Sequence, residues 1–159
     1  ANNRNDVFFR YLQTGNYHPG PSVQTVANAM DVGAPSNFDR VLELYGSSHQ
    51  AIRKEIDGFT YSNETIKEAI RKVYQQTGYL LDPHGACAYL ALKEGKETNE
   101  TGVFLATAPP AKFKETVEAC IGSPIEIPEG LNAFMKREKQ SFPLANDLNA
   151  LKKALIAHS

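Results

Sequence analysis

The sequence predicts an α/β fold built on a parallel sheet, and three observations lead there. The run Val103-Phe104-Leu105-Ala106 is short and continuously apolar, the make-up of a strand buried on both faces. Two further short runs, residues 79–81 and 29–32, have similar character. Each of the three is followed by the start signals of a helix, and strand, turn and helix in repeated order indicate parallel βα units.

The helices declare themselves by their ends. Residues 7–13, 38–45 and 50–56 carry weak helical spacing. Between the first two, Gly33 and Pro35 shape a tight turn, after which Ser36 or Asn37 can cap a helix. Ser62-Asn63-Glu64 offers a cap and an early acid. Ile66, Ala69, Ile70 and Val73 then recur at helical spacing, and Gly78 suits the stop. Asp82 and Pro83 open the next helix as N-cap and first helical residue. Its body, residues 86–92, is apolar nearly all round, so it is expected to be buried on more than one side, with Gly95 at its end. Another helix opens at Pro109-Pro110, lays Phe113, Val117, Cys120 and Ile121 along one stripe, and closes at Gly122. Residues 14–21 and 123–131 carry Gly and Pro and read as loops, and residues 148–157 are again helical. No repeat or long linker divides the chain, so one domain is expected over residues 1–159, ending in a loop and helical tail over 123–159.

Composition narrows the function classes. A chain of 159 residues is long enough to hold a core without disulfide or metal, since a domain of that size buries roughly 70% of its unfolded surface. Lys and Arg number 17 against 18 Asp and Glu, which argues against a general nucleic-acid binder. No apolar run approaches the roughly 20 residues of a membrane-spanning helix, and the polar start Ala1-Asn2-Asn3-Arg4-Asn5-Asp6 lacks a signal peptide's basic and apolar regions. Cys87 and Cys120 sit inside apolar helical patterns and read as buried free thiols, which fits the cytoplasm.

In open α/β sheets, ligands bind beyond the carboxyl ends of the strands. That rule selects Thr107, whose hydroxyl can donate or accept at the end of the best strand. Lys112 falls in the first turn of the following helix, where a cation opposes the helix dipole unless both face a bound anion; the alternative is a solvated lysine. His84 reads either as a ligand contact and proton carrier or as an exposed first-turn residue. It stands three residues from Cys87, but no second Cys/His pair completes a zinc site, and no metal is expected. His18, His49 and His158 read as surface residues. Ser36 and Asn37 read as helix caps that could also touch a ligand. The eleven glycines include no adjacent pair and no G-x-G, so no phosphate-cradling loop of Walker or dinucleotide type is present, and no G-x-S-x-G occurs. The residues offer ligand contacts without a complete catalytic set.

At these same segments the chain resembles the threonine synthase family of pyridoxal-phosphate enzymes. The stretches that carry the resemblance are Asn2-Asn3-Arg4-Asn5-Asp6, Pro21-Ser22-Val23-Gln24-Thr25 with residues 28–38, Asp82-Pro83-His84-Gly85-Ala86, and Thr107-Ala108-Pro109-Pro110-Ala111-Lys112-Phe113. They occur in the family's order and span nearly the whole chain. Pro109 stands where relatives often carry His.

The resemblance implies an incomplete three-layer parallel-sheet domain of the fold type II pyridoxal-phosphate enzymes, corresponding to the family's C-terminal portion. The complete enzyme would convert O-phospho-L-homoserine and water to L-threonine and phosphate, with pyridoxal phosphate as cofactor. The family's cofactor-binding lysine and phosphate cup lie upstream, and no lysine of this chain matches that lysine, so the chain alone is expected to be inactive. By position Thr107 would contact the cofactor's pyridine nitrogen. Asn5, Asp6, Ser36, Asn37, His84 and Lys112 are the candidate substrate contacts. The missing N-terminal part of the enzyme is the expected partner; an unpaired sheet edge would otherwise favour self-association. The rival reading is a stand-alone, non-enzymatic α/β module that binds a small molecule or anion.

Overall fold

Helix ends fall where side chains or glycines satisfy free backbone groups. In the computed structural model, which describes residues 1–97 and 99–157, α1 is Val7–Thr14, α2 Phe38–Leu44, α3 His49–Glu55, α4 Asn63–Thr77 and α5 Pro83–Gly95. They are followed by α6, Lys114–Ile121, α7, Glu129–Met135, and α8, Leu148–Ala157. Ser62 Oγ accepts the Thr65 N–H at 3.2 Å to open α4, and Gly78 closes it in the left-handed region at φ 74°. The Asp82 carboxylate accepts the N–H groups of His84 at 2.9 Å and Gly85 at 3.3 Å, with Pro83 in the first turn of α5. The helix expected from Pro109-Pro110 begins as a 3-10 turn, Pro110–Phe113, that leads into α6. Part of α7 occupies a stretch read as loop; Pro128 at its N-cap and Glu129 in its first turn are the start signals there.

The described residues form two units, Ala1–Glu126 and Ile127–Ser159. In the first, α4 packs against α5 and α6. The stripe Ile66, Ala69, Ile70 and Val73 meets Ala86 and Cys87 of α5 and Val117 and Cys120 of α6. A second cluster of Tyr11, Leu12, Phe38 and Ile52 joins α1, α2 and α3. Tyr17 stacks on Phe38 at 4.1 Å between ring centroids, and Tyr11 meets Phe38 edge-on at 4.7 Å. His49 is not the plain surface residue expected. Its Nε2 lies 3.0 Å from the Leu12 carbonyl and its ring abuts Tyr11, so it braces α3 against α1. His18 is exposed, and His158 lies outside the described residues. In the second unit, Asp147 Oδ2 accepts the Ala150 N–H at 2.9 Å at the start of α8. Neither α7 nor α8 contains a buried residue.

The three expected strands do not form ladders among the described residues; one isolated parallel bridge joins Asn2 to Thr60. Residues 29–32 instead run from a 3-10 turn, Asn28–Met30, into irregular backbone at Asp31, whose side chain accepts from nearby Thr25 in place of a sheet partner. Residues 79–81 form a connection from the glycine end of α4 to the Asp82 cap, too short to pair. Residues 103–106 are not buried on both faces. Val103 is 80% exposed and Leu105 75%, while Phe104 turns inward to meet Tyr89 edge-on at 6.1 Å. That alternation is how a strand with one open face is patterned. A strand's pairing needs neighbouring backbone, which an apolar run does not supply by itself.

No helix among the described residues is long and apolar enough to cross a membrane. Both cysteines are free and buried, and burial pushes the Cys87 thiol up to about 11.

Replacing the fully buried Ile70 with alanine should cost about 2–5 kcal/mol in a urea unfolding experiment, the range for truncating a core isoleucine. Asp82→Ala should cost about 1 kcal/mol or more, since two capped N–H groups lose their acceptor. At pH 8 only about one Cys87 in a thousand would be thiolate, so alkylation of the folded protein should be slow and should become fast in denaturant. Rapid labelling of folded protein would contradict the burial of Cys87.

Candidate functional site

A cavity of about 690 Å³ opens in the first unit. Its walls come from the N-terminal segment, the 30–38 loop, one side of α5 from His84 to Leu92 and the 103–107 segment. Of the sequence-predicted site residues, it brings together Asn5, Asn37, His84 and Thr107. Asp6, Ser36 and Lys112 do not line it.

Each lining side chain is placed by local structure. Thr107 ends the extended segment, is exposed, and also borders a smaller hollow of about 340 Å³ beside Pro109 and Pro110. His84 is held through its backbone N–H by the Asp82 carboxylate, and its ring lies tilted against Phe113 with centroids 5.3 Å apart. Its Nε2 is buried with no hydrogen-bond partner. Such an orphan costs roughly 1–3 kcal/mol, so it marks a place where a group outside the described residues would be welcome. Asn37 stands at the N-cap of α2, yet its side chain makes no capping bond, contrary to the capping role expected for it. The first N–H groups are served by backbone instead: Phe38 N–H donates to the Pro35 carbonyl at 3.2 Å and Arg40 N–H to the Asn37 carbonyl at 3.1 Å. The Asn37 side chain, without a capping bond, is exposed and lines the cavity.

The remaining candidates are elsewhere. Asp6 Oδ1 accepts from Arg10 Nε at 2.8 Å, an exposed pair one helical turn apart. Ser36 is exposed beyond the cavity rim. Lys112 is exposed in the 3-10 turn Pro110–Phe113.

Asn5 does line the cavity, but its amide is engaged on both sides. Its Oδ1 accepts the Val23 N–H at 2.7 Å, and its Nδ2 donates to the Val23 carbonyl at 2.8 Å and to Asp31 Oδ1 at 3.1 Å. It belongs to a network that the sequence reading missed. Asp31 Oδ1 also accepts from Asn3 Nδ2 at 2.9 Å and Thr25 Oγ1 at 2.7 Å, and Asp31 Oδ2 accepts the Thr25 N–H at 2.9 Å. Beside it, Gly20 N–H donates to the Gly33 carbonyl at 2.9 Å, and a Cβ on Gly33 would lie 2.1 Å from the Gly20 carbonyl oxygen. Glycine is therefore required at 33 by close backbone approach. Part of the signal was in the sequence: a lone carboxylate between Met30 and Val32, two positions before Gly33, is a poor strand residue and a good local acceptor.

The comparisons with known proteins cover the whole of this site. The model described as "Pyridoxal-phosphate dependent enzyme" matches residues 1–107, and that described as "Threonine synthase, C-terminal" matches residues 84–155. Threonine synthase of Haemophilus influenzae is 40% identical over 156 residues, which is 98% of this chain and 36% of that protein. Threonine synthase of Escherichia coli is 37% identical over 99% of this chain and 36% of its own length. The crystal structure of the Escherichia coli enzyme superposes with a TM-score of 0.90 at 36% identity, over 99% of this chain and 36% of that one. A structure of threonine synthase from Brucella melitensis with pyridoxal phosphate bound gives 0.85 at 30% identity, over all of this chain and 39% of that one. The expected fold class therefore holds, although the individual ladders do not appear among the described residues. The chain spans about 36% of the length of the curated relatives it matches; it belongs to the family of pyridoxal-phosphate dependent enzymes and, within it, matches the C-terminal part of threonine synthases.

Proposed function

We propose that this chain is the C-terminal part of a threonine synthase, a cytoplasmic enzyme that converts O-phospho-L-homoserine and water to L-threonine and phosphate with pyridoxal phosphate. The observation that carries the reading is one cavity that gathers Thr107, His84 and Asn37 in a chain matched end to end by threonine synthases. The cavity's residues fit such a cofactor. One wall presents apolar side chains against which a flat ring can lie, an exposed hydroxyl ends the extended segment, and the orphaned His84 Nε2 lacks a partner. When bound, pyridoxal phosphate supplies an electron sink for negative charge developing on substrate carbons.

The chain's own residues orient and bind. Thr107 Oγ1 is the group for the pyridine nitrogen. A hydroxyl is neutral and can donate or accept, so it holds the ring without forcing a proton onto it, unlike a carboxylate. Asn37 offers two donors and an acceptor for the polar groups of an amino-acid substrate. His84 offers a ring nitrogen for substrate oxygen. The covalent lysine and the cup for the cofactor's phosphate come from the portion of the enzyme that this chain does not span.

The complete enzyme should release threonine and phosphate in equal amounts from O-phospho-L-homoserine, while the 159-residue chain alone should release neither. Thr107→Val, which removes the hydroxyl at nearly constant size, should lower kcat by roughly ten- to a hundredfold. Full turnover by that variant would remove Thr107 from the site.

A further inference from the structure

The polar network behind the cavity has one organising atom pair. Asp31 brings two carboxylate oxygens, four lone-pair directions and no proton to a place where Asn3, Asn5 and Thr25 all present donors. An acceptor-only centre fixes which way both asparagine amides point. With their Nδ2 groups drawn to Asp31, Asn5 Oδ1 faces the Val23 N–H and Asn3 Oδ1 faces the Asn5 N–H at 2.8 Å. Three stretches are thus tied together at one side chain, residues 3–5 from 26 to 28 positions away, residues 23–25 and the 30–38 loop that carries Asp31. The first and third line the cavity directly.

The loop is held at two further points. Gly33 is clamped to Gly20, and Gly33 N–H donates to Ser22 Oγ at 3.1 Å. Phe38 is anchored among Tyr11 and Tyr17. Asn37, whose side chain does not cap its own helix, sits between the clamp and the anchor.

We propose that Asp31 is a positioning residue of this active site: its carboxylate sets the place of the 30–38 wall, and through it the reach of Asn37 toward substrate. Asp31 does not itself line the cavity. This rests on the threonine synthase reading for the identity of the substrate, but not for the existence of the tie.

The test uses the complete polypeptide that carries this chain, with Asp31→Ala, Asp31→Asn and Asp31→Glu variants and two readouts. The first is hydrogen exchange of the Val23 and Thr25 amides in cofactor-free protein. Asp31→Ala should lose roughly tenfold or more of their protection while the amides of α4 keep theirs. The second is steady-state kinetics with O-phospho-L-homoserine. KM should rise about tenfold with kcat changed by less than about threefold, and Asp31→Glu should recover part of the loss. If Asp31→Ala precipitates, Asp31→Asn, which keeps the size and one acceptor oxygen, is judged by the same two readouts. Unchanged exchange at Val23 and Thr25, protection lost equally throughout α4, or a fall in kcat at constant KM would each overturn the proposal. If the parent enzyme forms no threonine, the functional reading fails, and the exchange measurement alone decides the role of Asp31.

Discussion

A half-buried carboxylate is held in place where protein donors replace part of its hydration. Asp31 meets that condition with four hydrogen bonds from Asn3, Asn5 and Thr25, at 2.7 to 3.1 Å. Because the donors come from separate stretches of chain, satisfying the charge and assembling the wall are the same event. Asn3 is further pinned from outside: its carbonyl accepts Thr60 Oγ1 at 2.9 Å, and Asn2 bridges to Thr60. The asparagine-rich segment is thus held between residues 59–61 and Asp31, and its amides are used up in holding it.

The opposite wall is governed by burial. Ile66, Ile70 and Val117 fix α4, α5 and α6 as one body. Asp82 then places the first turn of α5, and with it His84, at the cavity. The helix core carries little chemistry of its own. Its part is to keep His84 against Phe113, where a ring nitrogen goes unpartnered. Among the described residues, a buried ring nitrogen without a partner is a local deficit of the kind found at functional sites.

Much of this was legible in the sequence where the cause is local. The Ser62 and Asp82 caps, the glycine stops at 78 and 122 and the stripe along α4 all involve atoms within a few residues of one another. Thr107, His84 and Asn37 were selected by their places at the starts of helices and the end of an apolar run, and the cavity gathers all three. Lys112 was selected by the same rule and Asp6 by the family resemblance, but both are engaged elsewhere, Asp6 with Arg10 and Lys112 with solvent. A position near a helix start says that a side chain can reach a site. Which way it turns depends on its neighbours in space.

Helix limits, core stripe and candidate contacts were determined by the sequence itself, because capping and periodicity act over a turn or two of chain. Only the tertiary structure decided that Asp31 is a hub, since its partner Asn3 is 28 positions away. It alone made His49 a brace through the Leu12 carbonyl, 37 positions distant. It also left Val103 and Leu105 open on one side of an extended segment. Each of these depends on which donors, acceptors and apolar surfaces arrive from elsewhere in the chain, and no local pattern encodes that arrival.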